Sequence, residues 1–257
     1  MIIKMLIPLV ILGTWAGSGC NNIEGQNMIT GRDVYRQGRL TAKPQGKTTV
    51  GFKTGLHPLN IGSKRDGLIY IPKSYNNKPA PLAVMLHGAG GNAESGLSLL
   101  KNYADENNII LLAPASRNAT WDVIYKDAFD DDVIFIDQAL RYVFENYNVD
   151  TNHLAVGGFS DGASYALSIG LSNGDLFTHI IAFSPGFSYT IVNMGKPAVY
   201  ISHGVNDRVL PIDPCSRRIV PKLKKSGYEV LYKEFDGEHQ IPAAISASAI
   251  SWFKHKV

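Results

Sequence analysis

Beyond residue 66 the chain alternates short apolar runs with longer stretches whose apolar positions recur every three or four residues. Residues 68–71, Leu-Ile-Tyr-Ile, form a β-rich run stopped by Pro72. Residues 82–86 are continuously apolar and end near Gly88, the pattern of a strand buried on both faces. Residues 109–113, closed by Pro114, repeat it, and 154–156, 180–183, 198–202 and 229–235 predict four more strands. Between them Leu97, Leu100 and Ala104 share one face of a helix expected over 95–107. Phe129, Val133, Ile136, Leu140 and Phe144 step by three and four along another. Further helices are expected over 162–171, 213–225 and 241–254. This rhythm predicts an α/β fold, a mostly parallel sheet with helices on both faces. Only residues 184–196 separate two consecutive strands late in the chain, too few for a large cap domain.

The first 46 residues follow neither period. Met1 to Lys4 carries one positive charge, residues 5–12 are almost wholly apolar, and 13–19 are rich in small residues before Cys20. That is the layout of a secretory signal, and its apolar run is well short of the ~20 residues that a membrane span needs. Gly17-Ser18-Gly19-Cys20 is similar to a bacterial lipobox, with Gly17 where that motif usually has Leu. The expectation is an exported chain, held at a bacterial cell envelope by lipid on Cys20. Simple secretion into the periplasm or medium and an uncleaved anchor are the alternatives. Residues 21–46 are polar and Gly-rich and read as a flexible tether with at most a little structure near its end, which leaves 47–257 as one catalytic domain. Lipid on Cys20 would leave Cys215 without a disulfide partner, a small residue in or near a helix.

With 257 residues, 18% of them charged and a net charge of +3, the chain has no basic block that suggests nucleic acid. The cluster Lys222-Leu223-Lys224-Lys225 reads as the exposed end of a helix. The seven histidines and two cysteines show no metal-ligand spacing.

The strongest local signal is Gly158-Phe159-Ser160-Asp161-Gly162, between the strand at 154–156 and the helix at 162–171. Gly-x-Ser-x-Gly in that context is a nucleophile elbow: a tight turn that presents a serine hydroxyl, expected to be exposed, at a helix N-terminus. A serine needs a base, and the base needs an acid to fix its tautomer. In this arrangement the chain order is Ser, acid, His. Asp207 follows the strand at 198–202 and His239 follows the strand at 229–235, which puts both on the sheet edge that carries Ser160. His203 precedes Asp207, the wrong order for the base, and reads as a structural turn residue. Asp213 is the rival acid; with Pro214 next to it, it reads as the N-cap of the following helix. His87-Gly88-Ala89-Gly90-Gly91 follows the strand at 82–86. The N–H groups of Ala89 and of Asp161 are therefore the candidate oxyanion donors. The loop 114–126, with Trp121 and Tyr125, either walls the site or is pinned by Trp121 as a packing anchor.

These motifs, together with Asn92, Gly157, Ala163, His203-Gly204, Pro211 and Gly237, resemble the phospholipase/carboxylesterase branch of the α/β-hydrolases. They are similar also to polyhydroxybutyrate depolymerase and feruloyl esterase relatives. The resemblance runs from about Asp66 to the C-terminus. It implies the α/β-hydrolase fold, a Ser160–Asp207–His239 triad, acyl-enzyme chemistry on small or polymer-borne esters, and no cofactor. The leader departs from that branch, many of whose members are cytoplasmic. Two other readings are a serine peptidase of the same fold, which would usually carry an added substrate-sizing domain, and a non-catalytic cell-surface binding module.

Overall fold

The computed structural model describes residues 31–45, 51–62 and 65–254. The leader, Cys20 and, of the expected tether, residues 21–30 and 46 lie outside these residues. The order of elements is α1 (Gly31–Arg36), β1 (Gly55–Pro58), β2 (Leu68–Ile71), β3 (Ala80–Leu86), α2 (Ala93–Ser98), α3 (Lys101–Asn107), β4 (Ile110–Ala113) and α4 (Asp122–Lys126). There follow α5 (Asp131–Asn146), β5 (Val149–Phe159), α6 (Asp161–Ser172), β6 (His179–Phe183), β7 (Ala198–Gly204), α7 (Ser216–Lys225), β8 (Val230–Phe235) and α8 (Ala243–Lys254).

The strands make one sheet in the order β1-β2-β4-β3-β5-β6-β7-β8. β3 to β8 pair in parallel, while β1 and β2 are antiparallel at one edge. Alternation along β3 shows how the apolar runs are used: Leu82, Val84 and Leu86 face a core shared with α5, α6 and α7. Ala83 and Met85 face a second core shared with α2, α3 and α8. Both faces of the sheet are covered, so a central strand has no polar side. This is the α/β-hydrolase architecture. No cap is inserted between β6 and β7.

Three short elements, α1, β1 and α4, escaped the sequence periods, and the single helix expected over 95–107 is two. It breaks at Leu100, which leaves the helical region (φ −131°, ψ 0°) and is fully buried.

The expected tether also differs from the observed chain. Residues 31–45 lie on the domain, with Leu40 and Ala42 buried in its core. Buried Asp137 of α5 holds them, accepting from the N–H groups of Thr41 (2.6 Å) and Ala42 (2.7 Å) and from the hydroxyls of Thr41 and Tyr35. Arg39 forks onto both oxygens of Asp175 at 2.6 and 2.7 Å. These partners, together with two apolar anchors, outweigh the polar composition that suggested a free tether. The folded unit therefore begins before residue 47.

Asp137→Ala would orphan two backbone N–H groups, and an unsatisfied buried donor costs about 1–3 kcal/mol. We expect the variant to lose about 2–4 kcal/mol in urea unfolding and to become protease-sensitive within 31–45. A change below about 0.5 kcal/mol, the size of a neutral surface substitution, would show that the strap contributes no stability.

Candidate active site

The site forms where β3, β5, β7 and β8 end. At the end of β5 the chain turns through Ser160, whose backbone is left-handed (φ 57°, ψ −120°). The Ser160 N–H donates to the Phe183 carbonyl at the end of β6 (2.9 Å). Glycines flank the turn because α6 and β3 touch there. A Cβ on Gly158 would come within 2.6 Å of the Leu86 carbonyl oxygen, and one on Gly162 would fall on the carbonyls of Leu86 and His87. Close approach thus demands both glycines, in addition to the turn. Ser160 is only 8% exposed, less open than the exposed hydroxyl expected, and lines a cavity of about 360 Å³ with Ala89, Phe159, Val209 and His239. That volume is at the small end for ligand sites.

The Asp207 side chain is fully buried, and His239 Nδ1 donates to its Oδ2 at 2.6 Å. Oδ1 accepts from the N–H groups of Val209 (2.9 Å) and Leu210 (2.8 Å). Burial pushes the Asp207 carboxyl up, but these hydrogen bonds outweigh it and hold the acid below the ordinary carboxylate range. The His239 ring also rests on Phe159, centroids 4.6 Å apart.

His203 is buried behind this pair. Its Nε2 lies 2.8 Å from the Leu210 carbonyl and 3.3 Å from Asp207 Oδ2, and its Nδ1 2.7 Å from Ser216 Oγ. A carbonyl can only accept, so Nε2 carries the proton and Nδ1 accepts from Ser216. Burial lowers the affinity of His203 for a second proton. Its role is to support the Asp207 loop, more than the turn residue expected.

Asp213 is not an N-cap. α7 begins at Ser216 after Cys215, and Asp213 lies outside it with a side chain 77% exposed, paired with Arg217 at 2.9 Å. The Asp213 carboxylate is taken by the Arg217 side chain, which also reaches Glu234, and the Arg217 N–H donates instead to the Ile212 carbonyl (3.1 Å).

The loop His87–Gly91 lies beside Ser160. The Ala89 N–H has no acceptor among the described residues, and Asp161, as first residue of α6, has none within its helix. His87 is fixed: Nδ1 donates to the Gly88 carbonyl (2.7 Å) and Nε2 accepts from Ser116 N–H (3.0 Å). Sequence reasoning missed what holds this region together. Gly90 N–H donates to Ala119, Thr120 Oγ1 to Asp161 Oδ2 (2.5 Å) and Trp121 Nε1 to the His87 carbonyl (2.8 Å). Residues 116–121 thus grip both candidate oxyanion segments. Trp121 is fully buried against Tyr165, a packing anchor and not a wall, while Tyr125 is 43% exposed.

Behind that loop two buried carboxyls exchange backbone hydrogen bonds: Asp132 Oδ2 accepts from Asp122 N–H (2.7 Å) and Asp122 Oδ2 from Asp132 N–H (3.0 Å). Burial first, then the charge of Asp122, pushes Asp132 up to about 7. Among the described residues, no group of three or more His, Cys, Asp or Glu is arranged to hold a metal ion, and no helix is long and apolar enough to cross a membrane.

Residues 60–218 match the family model described as "Putative esterase". The chain is 32% identical over 168 residues to "Probable feruloyl esterase C" of Aspergillus niger, covering 62% of this chain and 60% of that protein. It is 31% identical over 144 residues to an acetylxylan esterase of Coprinopsis cinerea, covering 52% of this chain and 37% of the relative. The chain thus spans less than two thirds of the length of either of these two relatives. A CE1 ferulic acid esterase from Anaeromyces mucronatus, solved with ferulic acid, superposes with a TM-score of 0.57 at 22% identity, over 87% of this chain and 95% of that one.

The Asp132 shift has a testable sign. An acid whose folded pKa is raised keeps its proton in the fold after the unfolded chain has lost it, so stability falls as pH rises from about 4 to 7. Asp132→Asn should remove the Asp132 share of this dependence and leave that of Asp122, which burial also raises. Relative to the variant, the parent should lose stability across that window at a rate approaching ~1.4 kcal/mol per pH unit, the limit for one proton. Urea titrations of both proteins at pH 4.5 and 7 measure it; equal slopes would contradict the shift.

Proposed function

The chain belongs to the Esterase family, and from that premise we propose that it is a serine carboxylic-ester hydrolase working through an acyl-enzyme. The observation that carries the reading is the hydrogen bond from His239 to buried Asp207, with His239 and Ser160 lining one cavity. In this reading the Ser160 hydroxyl attacks the ester carbonyl and gives its proton to His239 Nε2. Asp207 fixes the proton on Nδ1 and stabilises the imidazolium that forms. The N–H groups of Ala89 and Asp161 receive the negative oxygen of the tetrahedral intermediate. His239 then protonates the departing alcohol. A water enters by the same base, and the acid is released with Ser160 restored. Asp207 suits this role because its hydrogen bonds keep it ionised.

The substrate we propose is a small ester or an acyl group projecting from a polymer. The small cavity, the lack of a cap between β6 and β7, and relatives named as feruloyl and acetylxylan esterases support it. Export with lipid on Cys20 belongs to the same reading, supported by the leader's layout alone; the mass of the mature N-terminal peptide tests it.

Asp207→Asn should lower turnover of a p-nitrophenyl ester by about 10³–10⁴-fold, because an amide can hold His239 in the wrong tautomer. Asp213→Asn breaks only an exposed ion pair, and should stay within about threefold of the parent and lose no more than ~1 kcal/mol of stability. Turnover and unfolding of the two variants decide the assignment. An inactive Asp213 variant beside an active Asp207 variant would overturn it.

A further inference from the structure

A second concavity adjoins the ester cavity. The Ser164 hydroxyl donates to the Ser160 carbonyl (3.2 Å) and accepts from Gly186 N–H (2.9 Å), so one side chain separates Ser160 from the loop after β6. On the outer side of that loop lies a groove of about 190 Å³, lined by Gly186, Phe187, Pro214, Arg218, Ile219 and Lys222. Adjacent residues link the two linings. Val209 lines the ester cavity, and the next residue, Leu210, packs against Gly186: a Cβ there would lie 3.3 Å from its side chain.

The charges in the groove are uncompensated. Arg218 and Lys222 are four residues apart on α7, hence on one face, where like charges repel. Both are exposed, and neither makes an ion pair among the described residues. Their neighbour Arg217 is bound to Asp213 and Glu234, so acids on this side of the domain are spent on the outward arginine. With the two free cations Phe187 lines the groove, an aromatic ring 37% exposed. An apolar ring face next to two cations matches a sugar ring with a carboxylate: the C–H face packs on the ring, and the carboxylate takes charge-assisted hydrogen bonds.

We infer that this groove is a subsite for a uronate unit in the alcohol part of the ester, a short way along the chain from the esterified sugar. The inference rests on the proposed esterase reading and narrows its substrate to esters on acidic polysaccharide. Arg218 and Lys222 hold the carboxylate, Phe187 carries the ring, and neither cation touches the reacting bond.

Two oligosaccharides with the same acyl group on the same hydroxyl, one neutral and one bearing a uronate beside the esterified sugar, test it. At low ionic strength the uronate substrate should have at least a tenfold higher kcat/KM, through KM. The advantage should shrink with added salt, because exposed charges are screened. Arg218→Gln combined with Lys222→Gln should abolish the preference while leaving kcat/KM for the neutral oligosaccharide and for p-nitrophenyl acetate unchanged. Phe187→Ala should raise KM for both oligosaccharides. Equal kcat/KM for the two, or a preference that survives the double variant, overturns the subsite. Failure to hydrolyse any ester, p-nitrophenyl acetate included, would instead sink the esterase reading. In that event calorimetric titration of an unesterified uronate oligosaccharide against parent and double variant still decides the subsite: binding lost in the variant supports it, and no binding or unchanged binding refutes it.

Discussion

The close contact of α6 with the end of β3 is the constraint on which the site depends. At Gly158 and Gly162 the helix start and the strand end come so near that no side chain fits between them. That contact does two things at once. It forces Ser160 into a left-handed turn at the head of α6, and it sets the His87–Gly91 loop, the continuation of β3, beside that turn. Serine and candidate oxyanion donors are thus positioned by the same pair of backbones. Strain at Ser160 persists because the surrounding hydrogen bonds, including Ser160 N–H to Phe183, over-determine it.

The rest of the site is secured from behind. Residues 116–121 hold Gly90, Asp161 and the His87 carbonyl, and Trp121, buried on Tyr165, fixes that loop to α6. On the other side His203, its proton affinity lowered by burial, braces the Asp207 loop at Leu210 while Asp207 fixes His239. Polar groups in both networks find partners close to Ser160, and no cap is inserted between β6 and β7.

Local signals made the core of this picture legible in the sequence. Apolar runs such as 82–86 and the three-four spacing of Phe129 to Phe144 depend only on neighbours in the chain, and the elements they predict are present. Gly158-Phe159-Ser160-Asp161-Gly162 was legible for the same reason. What escaped depends on distant partners. Nothing local in 31–45 reveals that Asp137 and Asp175 hold Thr41 and Arg39 from about a hundred residues away. Asp213 has the spelling of a cap, yet Arg217 and Glu234 draw that corner into an ion-pair cluster and the helix starts later. Trp121 could have faced solvent or core; the stacking surface of Tyr165 decides for the core.

The central claim is that Ser160 is a nucleophile activated through His239. Labelling the purified protein with a fluorophosphonate and mapping the adduct by peptide mass spectrometry tests it most directly. A single stoichiometric adduct on Ser160 is expected, formed orders of magnitude more slowly in His239→Ala and absent in Ser160→Ala. An adduct on another residue, or undiminished labelling of the His239 variant, would contradict it.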